Sequence, residues 1–140
     1  MKDHSLEVHG CHTYDATGAI SPAICLSATF RHPRFGESTG YDYGRVANPT
    51  RESLEKMVAL LERGGRSWAL SSGMAAVQLV FSLLSAGDHV LMSEDLYGGT
   101  VRLAEEVFAG YGVTFEYVDV RDLALVGKRM RSETKLVFIE

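Results

Sequence analysis

The sequence predicts an α/β fold: a mostly parallel sheet with helices on both faces, preceded by an extended N-terminal arm. Three observations predict it. From residue 49 onward, short apolar runs alternate with stretches whose apolar residues recur at helical spacing. Glycine and serine mark the points where an apolar run hands over to a helix, at Ser71-Ser72-Gly73 and at Tyr97-Gly98-Gly99. Before residue 49 no period is sustained.

Residues 1–48 carry Pro22 and Pro33 among many Gly, Ser and Thr, which suits an irregular arm lying on another surface rather than forming its own core. Asn48-Pro49-Thr50 opens the first helix: Asn48 or Thr50 caps it, and Pro49 fits its first turn. Leu54, Met57, Val58 and Leu61 then form one apolar stripe, read as core, and Gly64-Gly65 ends the helix. The run from Ser67 predicts a strand that stops at Ser71. A second helix follows, with Met74, Val77, Phe81 and Leu84 on its buried side, ending at Ala86-Gly87. His89 to Ser93 predicts a strand, Gly99 to Ala109 a helix, Thr114 to Val118 a strand, Arg121 to Met130 a helix, and Lys135 to Glu140 a last strand. Alternation at this pace implies right-handed crossovers and parallel pairing. No repeat or low-complexity segment interrupts it. The sequence stops inside that last strand, where domains rarely end, and so reads as a fragment.

With 46% hydrophobic and 23% charged residues, the 140-residue chain has the composition and length of one globular domain. Its net charge of -4 is spread over interleaved acids and bases. Nucleic acid and anionic membranes would want clustered Lys and Arg, so neither is an expected partner. No apolar run approaches the ~20 residues of a spanning helix, and no signal peptide is recognisable. Cys11 and Cys25 show no CxxC spacing, so a cytoplasmic, reduced setting is expected. His9-Gly10-Cys11-His12 lacks a zinc spacing and a second ligand pair, and no metal site is expected.

Two stretches carry chemistry. In Ser67 to Gln78, the order strand, tight turn, helix start is a seat for an anion, because the first amides of a helix lack internal partners and lie at the positive end of its dipole. Ligands of parallel sheets collect at the carboxyl ends of the strands. The loop Glu94 to Thr100 belongs to that end too. There Gly98 and Gly99 let backbone approach a ligand, and Tyr97 offers a flat face and a hydroxyl. A flat heteroaromatic cofactor bearing a phosphate would use both loops. Singly, each residue has a plainer reading: Ser72-Gly73 as a tight turn, Tyr97 as a half-buried loop aromatic, Tyr43 as an arm anchor, Arg45 and Arg102 as solvated charges.

The runs Tyr41 to Arg51, Ser72-Gly73-Met74-Ala75-Ala76 and Leu96-Tyr97-Gly98-Gly99-Thr100, in unbroken register, resemble the pyridoxal-phosphate enzymes of cysteine and methionine metabolism. This trans-sulfuration family holds cystathionine γ-synthase, cystathionine γ- and β-lyases, methionine γ-lyase and O-acylhomoserine sulfhydrylases. The likeness extends from about His9 to Glu140 and includes Gly18-Ala19-Ile20 and Ser27-Ala28-Thr29-Phe30. It implies the large domain of a fold-type I pyridoxal-phosphate-dependent transferase, incomplete over residues 49–140. Residues 1–48 would be an arm contacting a neighbouring subunit of a homo-oligomer, a dimer of dimers.

The resemblance also implies roles. Gly73 and Met74, with Ser72 beside them, would bind the cofactor phosphate. Tyr97 would stack on the pyridine ring and, as the catalytic residue in this chain, help move the substrate's amine proton. Tyr43 and Arg45 would reach the phosphate of the neighbouring subunit's cofactor, a role that suits the planar fork of arginine. Arg102 would lie near the substrate. The implied reaction is γ-elimination or γ-replacement on a sulfur-containing or O-acylated amino acid. Methionine γ-lyases tend to carry a cysteine at the position of Gly99, so the motif leans to cystathionine γ-synthase or γ-lyase, with O-acylhomoserine sulfhydrylase or methionine γ-lyase as the alternative.

The departures are as informative. The family holds its cofactor on a lysine and sets a carboxylate on the pyridine nitrogen. None of Lys2, Lys56, Lys128 and Lys135 stands in a matching context, so the chain is not expected to turn over alone. A non-catalytic assembly module is the reading from another class, its arm and sheet edge pairing with a copy or a separate remainder. A plain nucleotide-binding domain is disfavoured, since no GxGxxG or Walker pattern follows any strand.

Overall fold

The computed structural model describes Gly10 and residues 18–140. The chain divides into two compact units, Met1–Ala69 and Leu70–Glu140. His9, Cys11 and His12 lie outside the described residues, as does Lys2.

In the first unit, helix α1 (Pro49–Leu61) starts where Pro49 predicts. Asn48 is its cap, with Oδ1 accepting from the amides of Thr50 at 2.9 Å and Arg51 at 3.4 Å. Thr50 serves the arm instead. Its hydroxyl accepts from Cys25 N at 2.8 Å, while Asn48 Nδ2 donates to Cys25 O at 3.2 Å. The helix start therefore also fastens the arm.

Three expectations about this unit need correction. The left-handed turn that ends α1 is taken by Arg63, at φ 53, one residue ahead of the two glycines, and Gly64 N closes back onto Ala59 O at 2.8 Å. The stripe read as core is not buried: Leu54 and Val58 are exposed, Met57 and Leu61 half-buried, and only Ala59 of α1 is buried. An apolar helix face is buried only by what packs on it, and among the described residues this unit has no second helix or strand. The run 67–70 is extended but joins no ladder. Its polar groups turn to α1 instead, where Ser67 Oγ donates to Glu55 O at 2.6 Å and Ala69 N to Glu55 Oε1 at 3.0 Å.

The second unit runs α2 (Gly73–Phe81), β1 (His89–Ser93), α3 (Gly98–Arg102), β2 (Thr114–Val118), α4 (Leu123–Arg129) and β3 (Thr134–Phe138). Beyond Arg102 the α3 coil continues as a π-helical stretch, Leu103–Phe108, and a 3-10 turn, Ala109–Tyr111. The strands pair in parallel in the order β2-β1-β3, as the alternation predicts. Central β1 is buried at all five positions, which suits a strand covered on both faces.

Phe81, the last residue of α2, is wholly buried and holds the core together. Its ring meets Phe108 and Phe138 edge-on at 5.5 Å each, and Phe115 at 5.6 Å. Val90, Met92, Ala104 and Val113 complete the cluster. The second helix is shorter than its period suggests, since Ser82 already caps it. Leu84 reaches the core from the turn that follows, where Asp88 Oδ2 accepts from Ser85 N at 2.7 Å. Among the described residues no helix is long and apolar enough to cross a membrane.

Candidate functional site

The start of α2 stands where the sequence places the turn and helix start of its expected phosphate seat. Ser72 is extended (φ -162, ψ 164), and its hydroxyl accepts from Ala75 N at 3.1 Å, a serine cap. The helical ladder begins at Ala76 N, bonded to Ser72 O at 3.2 Å. The amides of Gly73 and Met74 are left outside the internal bonds of the helix. A β-carbon built on Gly73 would meet nothing within 4 Å, and Gly73 is exposed while Met74 is half-buried. Phe81 anchors the far end of α2 in the core, which fixes where those amides stand.

The second loop follows β1. Tyr97 precedes α3 and is 61% exposed, so its ring is available. Gly99 has a sharper reason for being glycine than freedom of approach. A β-carbon there would lie 2.5 Å from Tyr97 Cε1 and 3.0 Å from Met74 Sδ. The bare backbone of Gly99 makes room for both side chains, and so Tyr97, Met74 and Gly99, from two loops, meet beside the start of α2. Arg102 is exposed, with Nε donating to Gly98 O at 3.3 Å.

Tyr43 and Arg45 belong to the first unit, where they meet each other. The Arg45 guanidinium lies 4.9 Å from the centre of the Tyr43 ring, a cation–π contact. Their segment is held by the Thr29–Tyr43 bridge and by Gly44 N donating to Ala28 O at 2.7 Å. Arg51 secures the same turn through Gly44 O at 3.1 Å and Val46 O at 2.7 Å.

A cleft of ≈ 270 Å³ opens at the carboxyl ends of the strands, lined by Ser93, Glu94, Asp95, Asp119, Val120, Arg121 and Glu140. Ser93 is buried, and its hydroxyl has no hydrogen-bond partner among the described residues. Arg121 grips Asp119 through Nε and Nη2, both at 2.8 Å, and through its own amide at 3.0 Å. These bonds hold the Asp119 carboxyl down at about 2. Among the described residues, no group of three or more His, Cys, Asp or Glu is placed to hold a metal ion.

Sequence reasoning does not find Ser93, the Asp119–Arg121 pair or Glu140. The available signal is positional: each follows an apolar run at the end where parallel strands gather ligands. It identifies a neighbourhood without naming residues.

The family profile of the Cys/Met metabolism PLP-dependent enzymes matches residues 4–140. Two curated relatives come from Bacillus subtilis. The chain is 46% identical to cystathionine gamma-synthase/O-acetylhomoserine (thiol)-lyase over 94% of its own length and 35% of that protein. It is 43% identical to cystathionine gamma-lyase over 100% of its own length and 37% of that protein. Among solved structures, cystathionine gamma-lyase from Lactobacillus plantarum superposes with a TM-score of 0.91 at 44% identity, over 99% of this chain and 36% of that one. The chain thus spans about a third of the length of the relatives it matches. With two loops of the predicted motif converging on one helix start, and the profile running through them, this chain belongs to the Cys/Met metabolism PLP-dependent enzyme family.

Proposed function

We propose that the second unit seats the phosphate and one ring face of pyridoxal 5'-phosphate, in an enzyme carrying out γ-elimination or γ-replacement on a sulfur-containing or O-acylated amino acid. The observation that carries this reading is the meeting of Tyr97 with Met74 and Gly99 beside the open amides of Gly73 and Met74. A capped helix start able to seat an anion and an exposed aromatic ring next to it are the two fittings that a phosphorylated heteroaromatic ring requires. The partnerless Ser93 hydroxyl at the cleft wall favours a polar occupant as well. When bound, the cofactor supplies an electron sink for the substrate's α-carbon.

The roles of this chain's residues follow from their chemistry. The Gly73 and Met74 amides orient the phosphate, and Ser72, already accepting from Ala75, keeps its hydroxyl proton to donate. The Tyr97 ring would cover one face and exclude water, and its phenolate form would take a proton from the substrate's amine that the resulting hydroxyl can return. Arg102 offers a cation to the substrate carboxylate. Tyr43 and Arg45 act on the phosphate of a neighbouring subunit. Among the described residues no lysine stands in the cleft: Lys56 pairs with Glu52 at 2.9 Å in the first unit, and Lys128, late in α4, and Lys135, early in β3, belong to the amino ends of the strands.

Division into an arm, residues 1–48, and an incomplete cofactor domain, residues 49–140, remains our reading, as does a cytoplasmic homo-oligomer, a dimer of dimers. What supports the oligomer is the exposed apolar surface of the arm, where Ile20, Ile24, Leu26 and Phe35 are all at least 77% exposed. Gly99 supports a cystathionine γ-synthase or γ-lyase over a methionine γ-lyase.

Titration of the purified chain with pyridoxal phosphate and with pyridoxal tests the proposal. The phosphate should tighten binding at least tenfold, about the worth of one charge-assisted contact, and borohydride should fix neither to one particular lysine. Equal affinity for the two compounds, or a specific lysine adduct accompanied by turnover, would overturn it.

A further inference from the structure

Helix α3 begins without a cap of its own. The residue at its head is Tyr97 (φ -57, ψ 129), and no side-chain bond from it reaches the first turn. A helix start normally recruits a Ser, Thr, Asp or Asn oxygen for its orphan amides. Here the oxygen comes from the far end of the second unit. Glu140 Oε2 accepts from Thr100 Oγ1 at 2.9 Å and from Tyr97 N at 3.4 Å. The Thr100 bond is the stronger by length, and Thr100 is wholly buried, with no solvent to replace that partner.

Glu140 follows β3 by two residues. Phe138, at the end of β3, is packed edge-on against Phe81, and Phe81 ends the helix whose start bears the phosphate seat. A run of hydrogen bonds and packed rings therefore links the carboxylate that holds Tyr97 N and Thr100 Oγ1 to the helix whose start bears the amides of Gly73 and Met74. We propose that Glu140 is a positioning residue: it caps α3 from β3, and by holding the Tyr97 peptide and the Thr100 hydroxyl it sets the angle at which the Tyr97 ring lies against Met74 and Gly99. This deepens the proposed cofactor site, and only the ligand half of its test rests on that reading.

The test uses the full 140-residue chain with Glu140→Ala, Glu140→Gln and Thr100→Val. Backbone amide exchange by NMR reads the capping. In Glu140→Ala the amides of Tyr97 to Val101 should exchange about tenfold faster, as loss of one buried polar contact implies, while those of β1 stay protected. Glu140→Gln should restore protection, since its amide oxygen still accepts from Thr100. Thr100→Val, nearly the same shape, should reproduce the local loosening. Pyridoxal phosphate should bind Glu140→Ala about tenfold more weakly, while inorganic phosphate, which needs only the α2 start, binds unchanged. Unaltered exchange at Tyr97 to Val101, or a rise spread equally over all three strands, would overturn the proposal, as would Gln failing where Ala fails. Were the wild-type chain to take up no pyridoxal phosphate, the site reading would fall, and the exchange data would still decide the role of Glu140.

Discussion

Adding one methyl group at Gly99 separates binding from stability. A β-carbon there would stand 2.5 Å from Tyr97 Cε1 and 3.0 Å from Met74 Sδ. Carbon atoms settle at roughly 3.5 Å or more, so the ring must withdraw by about 1 Å. Tyr97 is 61% exposed and can do so without disturbing the core. Gly99 lies in the first turn of α3 with an ordinary negative φ, and alanine there gains helix propensity of up to about 1 kcal/mol. Gly99→Ala should therefore melt at the same temperature as wild type or a few degrees higher. A ring moved by an ångström loses the stacking contact, worth about 0.5–1.5 kcal/mol. Pyridoxal phosphate should then bind roughly threefold to tenfold more weakly. Circular-dichroism melting and absorbance titration of the two proteins measure both quantities. Wild-type affinity with an unchanged melt would refute the idea that Gly99 sets the Tyr97 ring. A melting temperature lowered by many degrees would refute the claim that the ring can yield.

Two further outcomes follow from other parts of the fold. Arg63 holds a left-handed conformation that costs an L-residue about 1–2 kcal/mol, so Arg63→Gly should raise the melting temperature by a few degrees; a lowered one would show that the side chain contributes more than its backbone strain. His89 is buried, and that burial, helped by the charge of Arg131, pushes its imidazole below the ordinary 6.5 against the opposing pull of Glu116 and Glu133. A base depressed in the folded state binds fewer protons folded than unfolded, so stability is full above the unfolded value and declines as pH falls through it. Melting temperature should fall as pH drops through the ordinary 6.5, with a shallower slope in His89→Gln; equal slopes would sink the assignment.

His89 also shows how distant elements build a local environment. Its Nδ1 meets Thr134 Oγ1 of β3 at 2.8 Å, and its Nε2 comes within 3.5 Å of Glu116 of β2. At 3.5 Å, Nε2 makes no aligned hydrogen bond, which agrees with burial prevailing over the carboxylate. Glu116 has stronger partners in Arg129, at 3.0 Å, and Arg131. The parallel register sets Thr134 directly beside His89 and Glu116 two residues further along β2, opposite Leu91.

The sequence by itself determines the elements whose causes are local. Asn48-Pro49 starts α1, Ser72-Gly73 starts α2, and the apolar runs at His89, Thr114 and Lys135 become the parallel strands. Capping and periodicity act within a few residues, so they can be read along the chain. Family membership is legible for the same reason, since its motifs are contiguous. Tertiary structure alone decides what depends on partners far away in sequence. It leaves Leu54 and Val58 exposed because nothing among the described residues of their unit covers them, and diverts 67–70 from a ladder to Glu55. It makes Gly99 a clearance for Tyr97 and Met74, and turns Glu140 from the tail of a strand into the cap of α3. Burial and long-range hydrogen bonds are properties of what packs together, and no window of neighbouring residues contains them.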